Sequence, residues 1–130
     1  MWISLKKLSL PFGNLKIEAE NVTVRCVKLT TSTPYGLECR RGCGNLLVED
    51  TEISGATEAQ LVGLVSPAVY RRIHLHGSVR DHMKLDAGTL EYSYLPDDYR
   101  PVAGTHNDAV QTGVSSGPIV IRYNLSLIHI

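Results

Sequence analysis

Two short segments of this 130-residue chain carry the side chains best suited to proton transfer and cation binding, DHMKLDAG at 81–88 and GTHNDAVQTG at 104–113. The residues concerned are Asp81, Lys84, Asp86, His106 and Asp108. Lysine and histidine can act as general bases, and carboxylates offer the oxygen ligands that Ca²⁺ prefers. Asp and Asn before a strand are also frequent turn formers, because their short side chains bond nearby backbone N–H groups. The residues alone leave both interpretations open.

The elements that must position these residues follow a repeat. Five segments align, and they begin at Asn21, Asn45, Pro67, Ala87 and Pro118. Their first apolar slots are Val22, Leu46, Ala68, Gly88 and Ile119. The first four slots are nearly evenly spaced, and the last follows after a longer step. Two positions on lie Val24, Val48, Tyr70, Leu90 and Ile121. Alternation with a period of two, rich in Val, Ile, Thr and Tyr, predicts strands.

The repeat also predicts corners and one insertion. Seven positions after each first slot lie Leu29, Ile53, Leu75, Leu95 and Ser126, where only the serine breaks the apolar row. Polar or aromatic residues follow the slots at a fixed offset and predict a solvated corner row: Asp50, Arg72, Tyr92 and Tyr123. Asn21 and Asn45 open two segments, and Asn tolerates the left-handed conformation of a sharp corner. The segment PDDYRPVAG at 96–104 accounts for the longer step and predicts a protruding loop that ends at His106.

A second, fainter ladder lies between these segments. Its predicted inward members are Leu37, Val62, Met83 and Val110, and their spacing follows that of the first ladder. Lys84 and Gln111 then point outward on the same ladder. Two ladders that advance together by one coil indicate a stack of turns, each hydrogen-bonded to the next at about 4.8 Å. No turn buries its apolar face alone, so the turns stabilise one another.

These segments resemble coils of the right-handed parallel β-helix of the pectate-lyase-like superfamily. The phrases that carry the resemblance are NVTVRCVKL, NLLVEDTEISGA, DHMKLDAG, THNDAVQTG and PIVIRYN, and it extends from about Asn14 to Asn124. The fold class expected is therefore all-β, a single-stranded right-handed parallel β-helix of about five coils. A leucine-rich repeat overlaps in period, but its L-x-x-L-x-L-x-x-N line is missing.

The resemblance implies an extracellular protein that binds a polysaccharide, and lyase activity on uronate-containing glycans is one expectation. Lyases of this superfamily remove the proton next to a uronate carboxylate and need a base and a positive charge. The residues implied as catalytic are Lys84, His106 and Asp108, and those implied as substrate-binding are Arg80, Gln111, Tyr94 and Tyr99. Asp81 and Asp108 are the candidate ligands of a Ca²⁺ cofactor. The alternatives are a glycoside hydrolase that uses paired carboxylates such as Asp81, Asp86 and Asp108, and a non-catalytic adhesin or tailspike-like module.

Composition limits the partners. Lys plus Arg and Asp plus Glu both number 13, and this zero net charge argues against a general nucleic-acid or anionic-membrane binder. No apolar run is long enough to span a bilayer. The start MWISLKKLSLPFG lacks the continuous apolar core of a signal peptide, and the resemblance alone suggests secretion or the cell surface.

The end of the chain departs from the repeat. Leu125 and Leu127 are out of phase, and LSLIHI looks like a translated adapter from a DNA sequencing library. We therefore expect a partial β-helix domain over 1–124 and a non-native tail over 125–130.

Two further motifs have metal or redox potential. His74 and His76 in RIHLHG place two imidazoles on one strand face, but no third ligand is evident and we expect exposed strand histidines. The three cysteines are Cys26, Cys39 and Cys43. The CRRGC spacing can close a small disulfide loop, whereas no further ligand follows at zinc-finger spacing. We expect structural or free cysteines.

Overall fold

The computed structural model describes residues 2–10, 13–96 and 107–126, and its regular elements are all β-strands. The strands are β1 (Trp2–Leu10), β2 (Leu15–Lys16), β3 (Thr23–Thr30), β4 (Tyr35–Cys39), β5 (Leu46–Ser54), β6 (Ala59–Gly63), β7 (Ala68–His76), β8 (Asp81–Leu85), β9 (Gly88–Glu91), β10 (Tyr94–Leu95), β11 (Val110–Gln111), β12 (Ile119–Arg122) and β13 (Leu125–Ser126). No segment of the described residues forms a helix with the length and hydropathy to cross a lipid bilayer.

The strands form two parallel sheets that the chain visits in turn. The large sheet has eight strands in the order β1, β3, β5, β7, after which it continues as β9 with β12 and as β10 with β13. The small sheet has five strands in the order β2, β4, β6, β8, β11. Each strand pairs with the equivalent strand one turn along the chain, so the molecule is a parallel β-solenoid of about four turns. This confirms the predicted all-β solenoid.

The apolar rows of the large sheet have the predicted register. Val24 pairs with Val48, Val48 with Tyr70, and Tyr70 with Leu90. Leu90 in turn pairs with Ile121. Four of these residues are fully buried and fill the interior of the turns: Val24, Val48, Tyr70 and Leu90.

From β3 onward, a left-handed residue lies within or between the strands of the large sheet at each turn. The residues with positive φ at this corner position are Cys26, Asp50, Arg72, Tyr92 and Tyr123, with φ between 49° and 57°. They are exposed, as the predicted corner row requires. The corner also explains why inward positions lie at offsets of two and seven, since strict alternation would turn a side chain at offset seven outward. The turn at the corner shifts the alternation by one.

The Asn residues that open two segments also take the predicted conformation. Asn21 and Asn45 have φ of 60° and 57°. The Asn45 Nδ2 donates a hydrogen bond of 2.8 Å to Asn21 Oδ1, so the two side chains form a short ladder along the stack.

The register of the small sheet corrects one prediction. Leu37 pairs with Leu61, and Leu61 with Met83, so Leu61 occupies the inward row where Val62 was expected. Val62 instead pairs with Glu38 and Lys84 on the outward row. Both Leu61 and Val62 are buried, so the sequence Ala-Gln-Leu-Val-Gly has no alternation that would show which of the two points inward.

The large sheet extends into the last of the described residues. Leu95 pairs with Ser126, so the register of the large sheet continues past Asn124. The non-native origin of 125–130 stays a prediction.

Cys39 and Cys43 form a disulfide, whereas Cys26 is a free, exposed thiol.

Tyr70 is the largest fully buried side chain of the core. Its ring lies where two glycines leave room: a Cβ at Gly63 would come within 2.7 Å of the Tyr70 hydroxyl, and one at Gly88 within 3.4 Å of the ring. The hydroxyl has no hydrogen-bond partner among the described residues. Burial accordingly raises the pKa of Tyr70 above its ordinary value.

We expect Tyr70→Phe to leave the fold intact and to raise the free energy of unfolding by about 1 kcal/mol, because an unpaired buried hydroxyl costs about 1–3 kcal/mol. Urea unfolding followed by circular dichroism measures the change. A loss of stability would show that the hydroxyl is hydrogen-bonded, for instance to a buried water.

Candidate functional site

The outward row of the small sheet aligns four polar side chains and the buried Val62 along the solenoid. Lys16 pairs with Glu38, Glu38 with Val62, Val62 with Lys84, and Lys84 with Gln111. Parallel strands are spaced by about 4.8 Å, so the row is about 19 Å long from β2 to β11. Lys84 and Gln111, which the sequence implied as site residues, are therefore neighbours on one surface.

Tyr35 holds two cations on this surface. The Arg40 guanidinium lies 4.7 Å and the Lys84 ammonium 5.7 Å from the centroid of the Tyr35 ring. The ring quadrupole attracts both charges. Arg40 Nε also donates a hydrogen bond of 2.7 Å to Glu38 Oε1, and this bond raises the pKa of Arg40. The geometry thus fixes one cation beside a carboxylate and leaves the other available at the surface.

Two shallow cavities border these residues and share Arg40. One, of about 300 Å³, is lined by Lys16, Ile17, Glu18, Glu38, Arg40 and Arg41. The other, of about 340 Å³, is lined by Tyr35, Arg40, Val62, Leu64, Lys84, Asp86, Gln111, Thr112 and Gly113. We call the two together the small-sheet groove. It combines four cationic side chains and three carboxylates with hydrogen-bonding groups and one aromatic ring.

Asp86 closes one side of the groove. Its Oδ1 accepts a hydrogen bond of 2.7 Å from the Gly113 N–H, and its carbonyl accepts one of 3.1 Å from the Ser116 N–H. The carboxylate therefore anchors the segment that follows β11.

Asp81 and Asp108 lie together where β8 begins. Asp81 Oδ1 accepts a hydrogen bond of 3.2 Å from the Asp108 N–H. Burial, and to a lesser extent the charge of Asp108, raises the pKa of Asp81. Within the described residues, neither carboxylate belongs to a group of three or more potential metal ligands from His, Cys, Asp or Glu. The geometry agrees with turn formation, and Ca²⁺ binding here stays a prediction.

The other predicted residues are distributed around the solenoid. Arg80 lies 3.6 Å from Glu58 in an ion pair. Tyr94 belongs to the large sheet, where its ring stacks on His74 with centroids 5.0 Å apart. His106 and Tyr99 lie outside the described residues. The structure thus brings together Lys84 with Gln111 and Asp81 with Asp108, and it places Tyr94 on a different sheet.

Sequence reasoning missed Tyr35 and Arg40. A signal for them was present, since they flank the inward residue Leu37 of the second ladder and so begin and follow a strand of the small sheet. Their approach to Lys84 depends on the pairing of β4, β6 and β8, which aligns Glu38 with Lys84 two turns later in the chain.

Comparisons with known proteins found no relative from which to transfer a function. No protein-family model matches the chain, and neither a curated protein nor a solved structure matches it. The structure alone therefore supports the fold class, and the geometry of the site is the basis for a proposed function.

Proposed function

We propose that this chain binds an anionic, uronate-containing polysaccharide along the small-sheet groove, outside the cell. The observation that carries the proposal is the Tyr35 ring with Arg40 and Lys84 against it in an open groove. Cations held in place suit carboxylates, while Gln111 and Thr112 offer hydrogen bonds to hydroxyl groups.

The cations of the groove that are not in ion pairs suit a repeating anion. Among the described residues, Lys16, Arg41 and Lys84 line the groove without an ion-pair partner. Lys16 and Lys84 are three strand spacings apart, about 14 Å. A polymer with a carboxylate on successive sugars can contact cations at several levels of such a stack, whereas a single small anion cannot.

Two further features support the location and the class. The Cys39–Cys43 disulfide suits an oxidising compartment, since disulfides are rare in the cytosol. The sequence resemblance to the pectate-lyase-like superfamily points to the same type of ligand. Within that proposal, a lyase reaction would use Lys84 as its base in the neutral amine form, because the Lys84 side chain lines the groove. Binding without cleavage, as in an adhesin or tailspike module, needs the same groove and no base.

We expect Lys84→Gln to weaken binding of polygalacturonate by about fivefold at low ionic strength, the size of one partly exposed charge contact. Isothermal titration calorimetry measures the affinity. Lys28→Gln is the matched control, because it removes the same charge from an exposed lysine of the large sheet. Equal effects of the two substitutions would contradict the proposal.

Titrations with other polymers test the specificity for uronate, and the products formed after incubation distinguish a lyase, a hydrolase and a binding module. Dextran, a neutral polymer, and double-stranded DNA should bind much more weakly than polygalacturonate. Unsaturated ends after incubation would identify a lyase, new reducing ends alone a hydrolase, and neither a binding module. Equal affinity for dextran would overturn the role of the cations.

A further inference from the structure

We propose that Glu52, His74 and His76 form a binding site for Zn²⁺ on the outer surface of the large sheet. The site is independent of the small-sheet groove and of the polysaccharide proposal. Glu52 lies on β5, and the two histidines lie on the adjacent β7.

The register of the sheet brings the three side chains together. Glu52 pairs directly with His74, and His76 lies two positions further along the same strand, so all three share one face. One potential ligand atom from each residue lies within 4.8 Å of the other two. His76 Nε2 is already 2.7 Å from Glu52 Oε1.

The chemistry of this donor set suits zinc. Two imidazoles and a carboxylate are the protein ligands of many catalytic zinc sites, which leave the fourth position to water or a substrate. Ligand atoms around a tetrahedral Zn²⁺ are about 3.3 Å apart. Small side-chain rotations therefore suffice to close the cluster around an ion, and the partly exposed side chains of His76 and Glu52 have room for them.

The surroundings favour a cation. The Glu52 carboxylate contacts His76 through Oε1 and Lys28 through Oε2. The Lys28 ammonium is 3.9 Å from Glu52, and its side chain is 56% exposed, so it can move away when a metal ion enters.

Neighbouring rings restrict the motion of the histidines. His74 stacks on His76 with centroids 4.2 Å apart, and Tyr94 from the next turn stacks on His74. Such support lowers the cost of ordering the ligands. Glu52 and His74 also border an open groove of about 720 Å³, which gives an ion access from solvent.

The test is a titration of the full chain with Zn²⁺ after removal of metal by a chelator. We expect one ion per chain, with an affinity that falls by about tenfold or more in His76→Gln and in Glu52→Gln, since each loses a ligand. We also expect the melting temperature of the wild-type chain to rise with Zn²⁺, because the ion joins two adjacent turns of the solenoid.

Two control variants make the result specific. His106→Gln removes a histidine from another part of the chain, and Cys26→Ser removes the thiol that borders the same groove. Both should bind Zn²⁺ as the wild type does, and circular dichroism checks that every variant is folded. Absence of stoichiometric binding, or a loss in either control as large as in His76→Gln, would overturn the site.

Discussion

Replacing Gly55 by alanine is expected to destabilise the fold by about 3 kcal/mol or more, since strain at φ and a steric overlap each contribute about 1–3 kcal/mol. Gly55 follows β5 with φ of 93°, a conformation that L side chains rarely adopt. A Cβ there would lie 2.1 Å from the Thr31 carbonyl oxygen on the preceding turn. That oxygen belongs to the backbone, and the Thr31 N–H is bonded to the Ser54 carbonyl at 3.0 Å, so the two turns cannot separate locally.

Gly77→Ala is the matched control. Gly77 occupies the equivalent position one turn along, because Ser54 pairs with His76. Its φ is 67°, but the nearest atoms to an added Cβ are 3.8 Å away, an ordinary contact. We expect a cost of only about 1 kcal/mol from the backbone conformation. Urea unfolding of both variants measures the difference, and similar losses would show that close approach of the turns does not limit residue size at Gly55.

The fold could be predicted where apolar residues alternate. The row through Val24, Val48, Tyr70 and Leu90 has the register expected from the spacing of the repeat, because each side chain is flanked by polar or half-buried residues. The prediction was wrong at Val62, because Leu61 and Val62 are both buried and apolar and their sequence does not show which one points inward. Hydrophobic periodicity thus locates the turns of a solenoid but not every face of them.

The chemistry was harder to predict because it depends on pairs of residues that only the register brings together. Glu52 precedes His74 by the same step that separates Leu46 from Ala68 in the repeat. The repeat therefore contained the third ligand of the His74–His76 pair, although no local motif shows it. The second ladder likewise indicated a strand that begins at Tyr35, but the contact of Tyr35 with Lys84 also depends on side-chain direction, which the repeat does not show.

A carboxylate between arginines holds three turns of the large sheet together. Glu49 is bonded by Arg25 on the preceding turn at 2.6 Å and by Arg71 on the following turn at 2.7 Å, and Arg72 lies 2.9 Å away. The Glu49 side chain is only 3% exposed. Burial raises the pKa of Glu49, but the hydrogen bonds and charges of Arg71 and Arg25 outweigh burial, so the pKa is lowered overall.

We expect Glu49→Gln to lower the free energy of unfolding by about 2 kcal/mol at neutral pH, because the variant loses charge-assisted hydrogen bonds. Such bonds contribute about 1.5–3 kcal/mol each, but the guanidinium groups are partly exposed and regain water when the carboxylate is removed. The pKa of Glu49 is lower in the folded state than its ordinary value of 4.5. Its contribution to stability is therefore complete at pH values above 4.5, and it is lost as the pH falls through the pKa of the folded state. The difference between wild type and variant should therefore shrink in acid.

Asp50→Asn is the control for this pH dependence. Asp50 bonds Arg72 at 2.7 Å, but its side chain is 40% exposed, so water replaces most of the interaction. We expect a much smaller loss than in Glu49→Gln. Unfolding in urea from about pH 7 to about pH 3 measures both variants against wild type. A Glu49→Gln deficit that stays constant over this range would mean that shape and neutral hydrogen bonding, rather than the charge of the carboxylate, hold the three turns together.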